Sequence, residues 1–263
     1  MSKGILRVIG TGIRTMGHLT IEAIAWMKAA DKLLYLVGDP IGEDLILRLN
    51  PEAESLYGLY GEGKPRINTY NEMIDRVLTC VREGHRTCFA LYGHPGVFVY
   101  PSHESVRRAR AEGYDAQMLP GISAEDCLFA DLGVDPASAG CQSFEATDFL
   151  LNQRRIEPSS SLVLWQVGVI GDSTFKASGI YGTGGIPLLL ERLYEYYRPD
   201  HLVYVYEAAT LPGCPPVIKP VPLYRLGEAG LTAASTLYVP PGQPAALDLA
   251  RYQRMLYALG TRG

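Results

Sequence analysis

The chain has 263 residues, 47% of them hydrophobic and 20% charged, with a net charge of −4. That is an ordinary globular balance, long enough for one large or two modest domains, and its slight acidity leaves no basic footprint for a nucleic acid. No apolar run approaches the ~20 residues of a membrane helix, and no basic-apolar-small signal pattern opens the chain.

The first strand is expected at residues 6–9, ending in Gly10-Thr11-Gly12. Residues 19–29 carry Leu19, Ala23, Trp26 and Met27 at helical spacing. A strand follows at 32–37, ended by Asp39-Pro40, then a short helix at 44–49. Residues 71–82 place Met73, Val77, Leu78 and Val81 on one helix face, and Gly84 suits the C′ position beyond it. Strands are expected at 87–92 and 116–119, with a helix at 102–112 between them. Ser123 suits the N-cap of a helix continuing to Leu132. Such alternation implies a mostly parallel sheet covered by helices.

After Asp135-Pro136 the texture changes, and a domain boundary is placed near 132–140. Stretches 138–140, 158–161 and 178–185 read as loops. Strands are expected at 162–167, 202–206 and 236–239, with a helix carrying Leu188, Leu189, Leu193 and Tyr197 between the first two. Pro240-Pro241 ends the core, and residues 248–259 form a helical tail with Leu249, Tyr252, Leu256 and Leu259 as its apolar stripe. This divides the chain into an N-terminal α/β domain (1–135), a C-terminal α/β domain (136–241) and a tail (242–263).

Two loops stand out chemically. Tyr92-Gly93-His94-Pro95-Gly96-Val97-Phe98 and Leu119-Pro120-Gly121-Ile122-Ser123-Ala124 each follow an apolar run and precede a helix. Loops at the carboxyl ends of strands are where α/β sheets bind ligands, so the two suggest one small-molecule site. Gly10-Thr11-Gly12 with Gly17 departs from the dinucleotide fingerprint. Its third glycine comes late, and the acid after the second strand, Asp39, sits in an Asp-Pro turn. A tight turn and a site wall both fit it. His94 reads as a hydrogen-bonded turn histidine or a catalytic one, and Ser123 as a cap or a cofactor ligand. Without a GxSxG elbow, Ser123 is no nucleophile. The five cysteines form no CxxC and no Cys/His metal spacing, so they read as core thiols of a reducing cytoplasm.

The third feature is Leu56-Tyr57-Gly58-Leu59-Tyr60-Gly61-Glu62-Gly63-Lys64-Pro65-Arg66-Ile67-Asn68-Thr69-Tyr70. On composition it is a flexible surface loop. Its chemistry offers phenols that move protons and a guanidinium that stabilises developing negative charge.

This segment, together with YGHPGVFV, SHES, LPGISAEDCLFADLGVDP, GCQSFEATDFLL, LVLWQVGVIG and STLYVPP, resembles the borosin peptide α-N-methyltransferases over about residues 5–241. More broadly it resembles the tetrapyrrole methylases. The resemblance implies a two-domain tetrapyrrole-methylase-like α/β fold, the class III architecture of S-adenosylmethionine (SAM) methyltransferases. It implies SAM as cofactor, S-adenosylhomocysteine (SAH) as product, and no metal. By motif it assigns catalysis to Tyr60, Arg66 and Tyr70, supported by Tyr57. It assigns the cofactor pocket to Tyr92, His94, Val97, Phe98, Ser123, Ala124, Gln166, Tyr206, Ala208, Ser235 and Thr236. Which of Tyr60 and Tyr70 takes the amide proton stays open. The family forms homodimers. Fungal members run on into their own apolar core peptide, and no such run precedes Gly263. The expectation is therefore a split form acting on a separate precursor peptide in a 2:2 complex, in the cytoplasm, without nucleic acid or membrane. A tetrapyrrole, precorrin or other small-molecule methyltransferase is the alternative, and a SAM- or peptide-binding module without turnover is a third reading.

Overall fold

The computed structural model describes residues 3–260, and the outermost positions of the expected first domain and tail (1–2 and 261–263) lie outside the described residues. The first half alternates strand and helix. β1 (Ile5–Gly10) leads through two short helices, α1 (Thr15–His18) and α2 (Ile21–Ala29), to β2 (Lys32–Leu36). The helix expected from 19 begins at Ile21, because Thr20 caps α2, its side chain accepting from the Ala23 amide, and the short α1 before it was not expected. α3 (Pro40–Leu49) starts four residues earlier than expected, since Asp39 caps it and Pro40 suits its first turn. β3 (Glu54–Ser55) is a two-residue edge strand absent from the sequence reading. α4 (Arg66–Arg82), β4 (Arg86–Leu91), α5 (Tyr100–Ala111), β5 (Asp115–Met118) and α6 (Ala124–Leu132) complete this half.

The strands lie in the order β3-β2-β4-β1-β5, and every pairing is parallel. After Arg86, every residue of β4 is buried, as a strand covered on both faces requires. One face packs Met73, Val77 and Val81 of α4 and Val106 and Ala109 of α5, and the other packs Ala23 and Met27 of α2 and Ile46 of α3.

The second half is a mixed sheet of five strands where three were expected. After α7 (Pro136–Ala139) come β6 (Cys141–Glu145), α8 (Ala146–Leu151), β7 (Ser161–Trp165), α9 (Ile186–Tyr194), β8 (Leu202–Glu207), β9 (Val217–Pro222) and β10 (Thr236–Val239). Their order is β6-β7-β10-β8-β9, with only β6–β7 parallel. The two unexpected strands are the edges. β6 is half-buried throughout, so no apolar run marks it, and β9 carries Pro220 and Pro222, which an edge strand tolerates. α8 and α9 cover one face of this sheet. The other face packs Leu128 of α6 with Val163, Trp165, Tyr206 and Tyr238. α6 thus ties the two sheets together.

The tail helix α10 (Leu249–Ala258) is capped by Asp248 and has no buried residue. Leu249, Tyr252, Met255 and Leu259 are exposed, so the tail does not pack on this chain's core. Of the cysteines, Cys80 and Cys88 are core thiols, Cys127 and Cys141 are half-buried and Cys214 is exposed; all five are free.

Candidate active site

A cavity of about 420 Å³ lies between the facing edges of the two sheets. The first sheet contributes the loops that follow four of its strands: Ile13 after β1, Gly38 and Asp39 after β2, Tyr92 to Val99 after β4, and Ser123 and Ala124 after β5. The second contributes Trp165 and Gln166 at the end of β7, Ala208 and Thr210 after β8, and Ala233, Ala234 and Thr236 at the start of β10. Loops at the carboxyl ends of a parallel sheet are its natural ligand edge, and β10, running antiparallel, brings its amino end to the same place.

The glycines at the strand ends let these loops converge. A Cβ on Gly10 would stand 2.3 Å from the Gly93 carbonyl oxygen and 3.1 Å from the Gly121 Cα. One on Gly121 would stand 2.8 Å from the same oxygen. Gly10-Thr11-Gly12 is therefore a close-packed turn against Gly93 and Gly121, and the cavity lining on this loop is Ile13. Phe98 (φ 55°) and Gln166 (φ 59°), both lining the cavity, hold left-handed backbone that costs a non-glycine residue of order 1 kcal/mol or more. The Phe98 ring meets Trp165 of the second sheet at 5.6 Å. His94 Nδ1 accepts from the Gly96 amide at 2.9 Å, which puts its proton on Nε2. Ser123 caps α6 reciprocally with Asp126 and also borders the cavity.

Of the residues expected at the cofactor, Tyr92, His94, Val97, Phe98, Ser123, Ala124, Gln166, Ala208 and Thr236 line the cavity. Tyr206 and Ser235 do not. Tyr206 is fully buried in the second sheet and donates to Asp131 at 2.7 Å, and Ser235 is buried and bonds Glu207 at 2.6 Å and the Thr232 amide at 2.8 Å. Both are framework residues one layer behind the wall.

The tyrosine/arginine segment is not a free loop. A 3-10 turn spans Tyr57–Leu59, and Arg66 and Tyr70 lie in the first two turns of α4. Sequence periodicity misses this start because no polar cap precedes Pro65. The turn is pinned instead by a strap from the second half of the chain. The Arg66 amide donates to Ser173 O, the Gly63 amide to Phe175 O and the Phe175 amide to Lys64 O, each at 2.9 Å. Phe175 stacks on Tyr60 at 4.7 Å, with Tyr57 against both rings. The Arg66 Nη2 donates to the Tyr181 hydroxyl at 2.7 Å, while that hydroxyl also accepts from the Lys176 amide and donates to Thr174 O. Phe175 and Tyr181 were not singled out from sequence; they sit in a polar, glycine-bearing stretch without periodicity.

The phenols are electrostatically linked. Burial raises the Tyr60 phenol, Tyr70 and Tyr92 push it further, and Arg66 opposes them. Burial also raises Tyr70, but here the Arg66 guanidinium and a hydrogen bond from Tyr60 both pull down. Tyr92 is raised by burial and by Tyr70, and lowered by Arg66. The residue is 55% exposed and lines the cavity. Tyr92 is thus the wall shared by the cavity and the Tyr60–Arg66–Tyr70 cluster. Among the described residues no group of three His, Cys, Asp or Glu is placed to hold a metal.

Two lobes of α/β structure closing a small-molecule cavity at their strand ends define a class III methylase architecture. Residues 6–218 match the model of the tetrapyrrole (corrin/porphyrin) methylases, and the chain belongs to that family. Its relatives include a methyltransferase/ribosomally synthesized cyclic peptide dendrothelin A precursor of Dendrothele bispora, 44% identical over 242 residues covering 90% of this chain and 58% of that protein. A methyltransferase/type III borosin cyclic peptide precursor of Anomoporia bombycina is likewise 44% identical over 90% of this chain, but over 28% of its own length. The chain therefore spans only about a quarter to three fifths of these two curated relatives. Among solved structures, the uroporphyrin-III-C-methyltransferase of Thermus thermophilus superposes with a TM-score of 0.65 over 97% of both chains at 20% identity, a likeness of fold.

Proposed function

We propose that the chain is a SAM-dependent methyltransferase whose acceptor is a peptide backbone amide. The observation that carries this is the Tyr60–Arg66–Tyr70 cluster adjoining, through Tyr92, a cavity of cofactor size. About 420 Å³, lined mainly by apolar and aromatic groups with a few fixed polar ones, suits an adenosyl ligand. The cofactor would lie among Tyr92, His94, Val97, Phe98, Ser123, Ala124, Gln166, Ala208 and Thr236, and it supplies an electrophilic methyl group. Tyr206 and Ser235 would act only by supporting that wall.

An amide nitrogen is a poor nucleophile because its lone pair is delocalised into the carbonyl. The chain's own task is to take the N–H proton and stabilise negative charge on the carbonyl oxygen. We assign proton removal to the Tyr70 hydroxyl. Arg66 and the Tyr60 hydrogen bond both favour its phenolate, whereas the same hydrogen bond holds Tyr60 in its phenol form. Arg66, fixed by Tyr181, faces the developing charge, and Tyr57 packs the cluster from outside.

The reading extends to a substrate on a separate polypeptide and to a homodimer in a 2:2 complex, working in a reducing cytoplasm. The names of the relatives support a peptide substrate, the exposed apolar face of α10 supports self-association, and five free cysteines suit a reducing compartment. The test is incubation of the purified chain with SAM and synthetic apolar peptides, read by fragmentation mass spectrometry. Methyl groups on backbone nitrogens support the proposal. Transfer to a tetrapyrrole and to no peptide overturns it in favour of the small-molecule reading.

A further inference from the structure

A methyltransferase meets its cofactor in two forms that differ by one methyl group and one positive charge. SAM is a sulfonium; SAH is an uncharged thioether at the same atom. We infer that Asp39 makes this cavity prefer the sulfonium form, so that methyl transfer itself weakens the hold on the spent cofactor. This rests on the methyltransferase reading above and names a specificity residue of the same site.

Among the described residues, Asp39 is the one acidic side chain on the cavity wall, and no lysine or arginine lines it. Its carboxylate is fixed. Oδ1 accepts from the Gly42 amide at 2.6 Å and Oδ2 from Thr15 Oγ1 at 3.4 Å, with Asp39 as the N-cap of α3. The residue is half-buried, so water screens it only in part. Arg66, the cation of the neighbouring cluster, acts on the Tyr92 side and is already bonded to Tyr181. Among the described lining residues, the formal charge at the Asp39 wall is therefore negative.

The size of the cavity bounds the effect. The working separation between the Asp39 carboxylate and a ligand charge in a cavity of about 420 Å³ is ~9 Å. At an effective dielectric constant near ~20, a pair so separated is worth more than a tenfold change in affinity. The positive end of α3 takes back part of that. The expected preference due to Asp39 is about tenfold, or ~1.4 kcal/mol.

A cap alone would explain the geometry of Asp39, and the test separates the two roles. Asparagine caps a helix as well as aspartate does, so Asp39→Asn removes the charge and keeps the cap. Asp39→Ser, a second neutral cap, guards against a variant that misfolds. Titration calorimetry of wild type and both variants with SAM and with SAH, at low and high salt, should show SAM affinity falling about tenfold. SAH affinity should change by less than about twofold, and the difference should shrink with salt. A parallel fall for both ligands, or no change for either, would overturn the role of Asp39 and leave the methyltransferase reading standing. A wild-type chain that binds neither ligand would overturn both.

Discussion

Replacing Tyr181 by phenylalanine removes one oxygen from the point where the strap holds α4. That hydroxyl accepts from Arg66 Nη2 at 2.7 Å and from the Lys176 amide at 3.1 Å, and donates to Thr174 O at 3.3 Å. The ring stays, with its contact to the guanidinium at 5.3 Å. A hydrogen bond to a charged group contributes about 1.5–3 kcal/mol, and both partners here are half-buried, so the low end applies. A loss of ~1.5 kcal/mol raises the population of the open strap about tenfold. Hydrogen exchange of the Gly63, Arg66 and Phe175 amides, which cross between strap and segment, should accelerate by that factor. Amides of β4 should not change, and neither should the melting temperature by more than about 2 °C, because neither core touches Tyr181. Peptide methylation should fall with SAM affinity intact, because Arg66 loses its anchor. Unchanged exchange at all three amides would refute the claim that this hydroxyl holds the strap.

Two further outcomes follow from the same physics. The Tyr197 hydroxyl is buried without a partner in the second core, and burial pushes its phenol up to about 12. Tyr197→Phe should therefore stabilise the chain by ~1 kcal/mol in urea unfolding at pH 7, whereas a loss of stability would reveal an unrecognised partner. A phenol raised in the folded state contributes stability that is present below pH ~10 and lost as pH rises toward 12, so the variant's advantage should widen across that window. Removing residues 243–263 should leave the melting temperature nearly unchanged, because α10 buries no side chain. If light scattering shows a dimer that this deletion abolishes, α10 belongs to the interface; a stable monomer at micromolar concentration in the full chain would contradict the homodimer.

The first half of the fold was legible because buried parallel strands are largely apolar runs, and β1, β2 and β4 announce themselves that way, whereas the edge strand β5, Asp115-Ala116-Gln117-Met118, buries only Ala116. In the second half the edges were not. Cys141-Gln142-Ser143-Phe144-Glu145 has no run to read, and the prolines of β9 argue against a strand until its edge position is known. The cavity wall came from resemblance of motifs, and it mixed Tyr206 and Ser235, which stand behind the wall, with residues that form it. The strap was illegible for a deeper reason. Phe175 and Tyr181 act through contacts about 115 residues away in the chain, such as Arg66 to Tyr181, and no local pattern encodes a partner at that distance. The same contacts decide where α4 begins, which is why Arg66 and Tyr70 read as loop in sequence and stand on a helix in the structure.

The central claim is that the cluster on α4 activates an amide beside a separately bound cofactor. Single-turnover methylation of a peptide that the wild type accepts, with SAM affinity measured in parallel, tests it most directly. Arg66→Ala and Tyr70→Phe should each slow transfer by ~10²–10³-fold, with SAM affinity within about twofold of wild type. Transfer at the wild-type rate in both variants would contradict the account and reduce the tyrosine/arginine segment to a packing element.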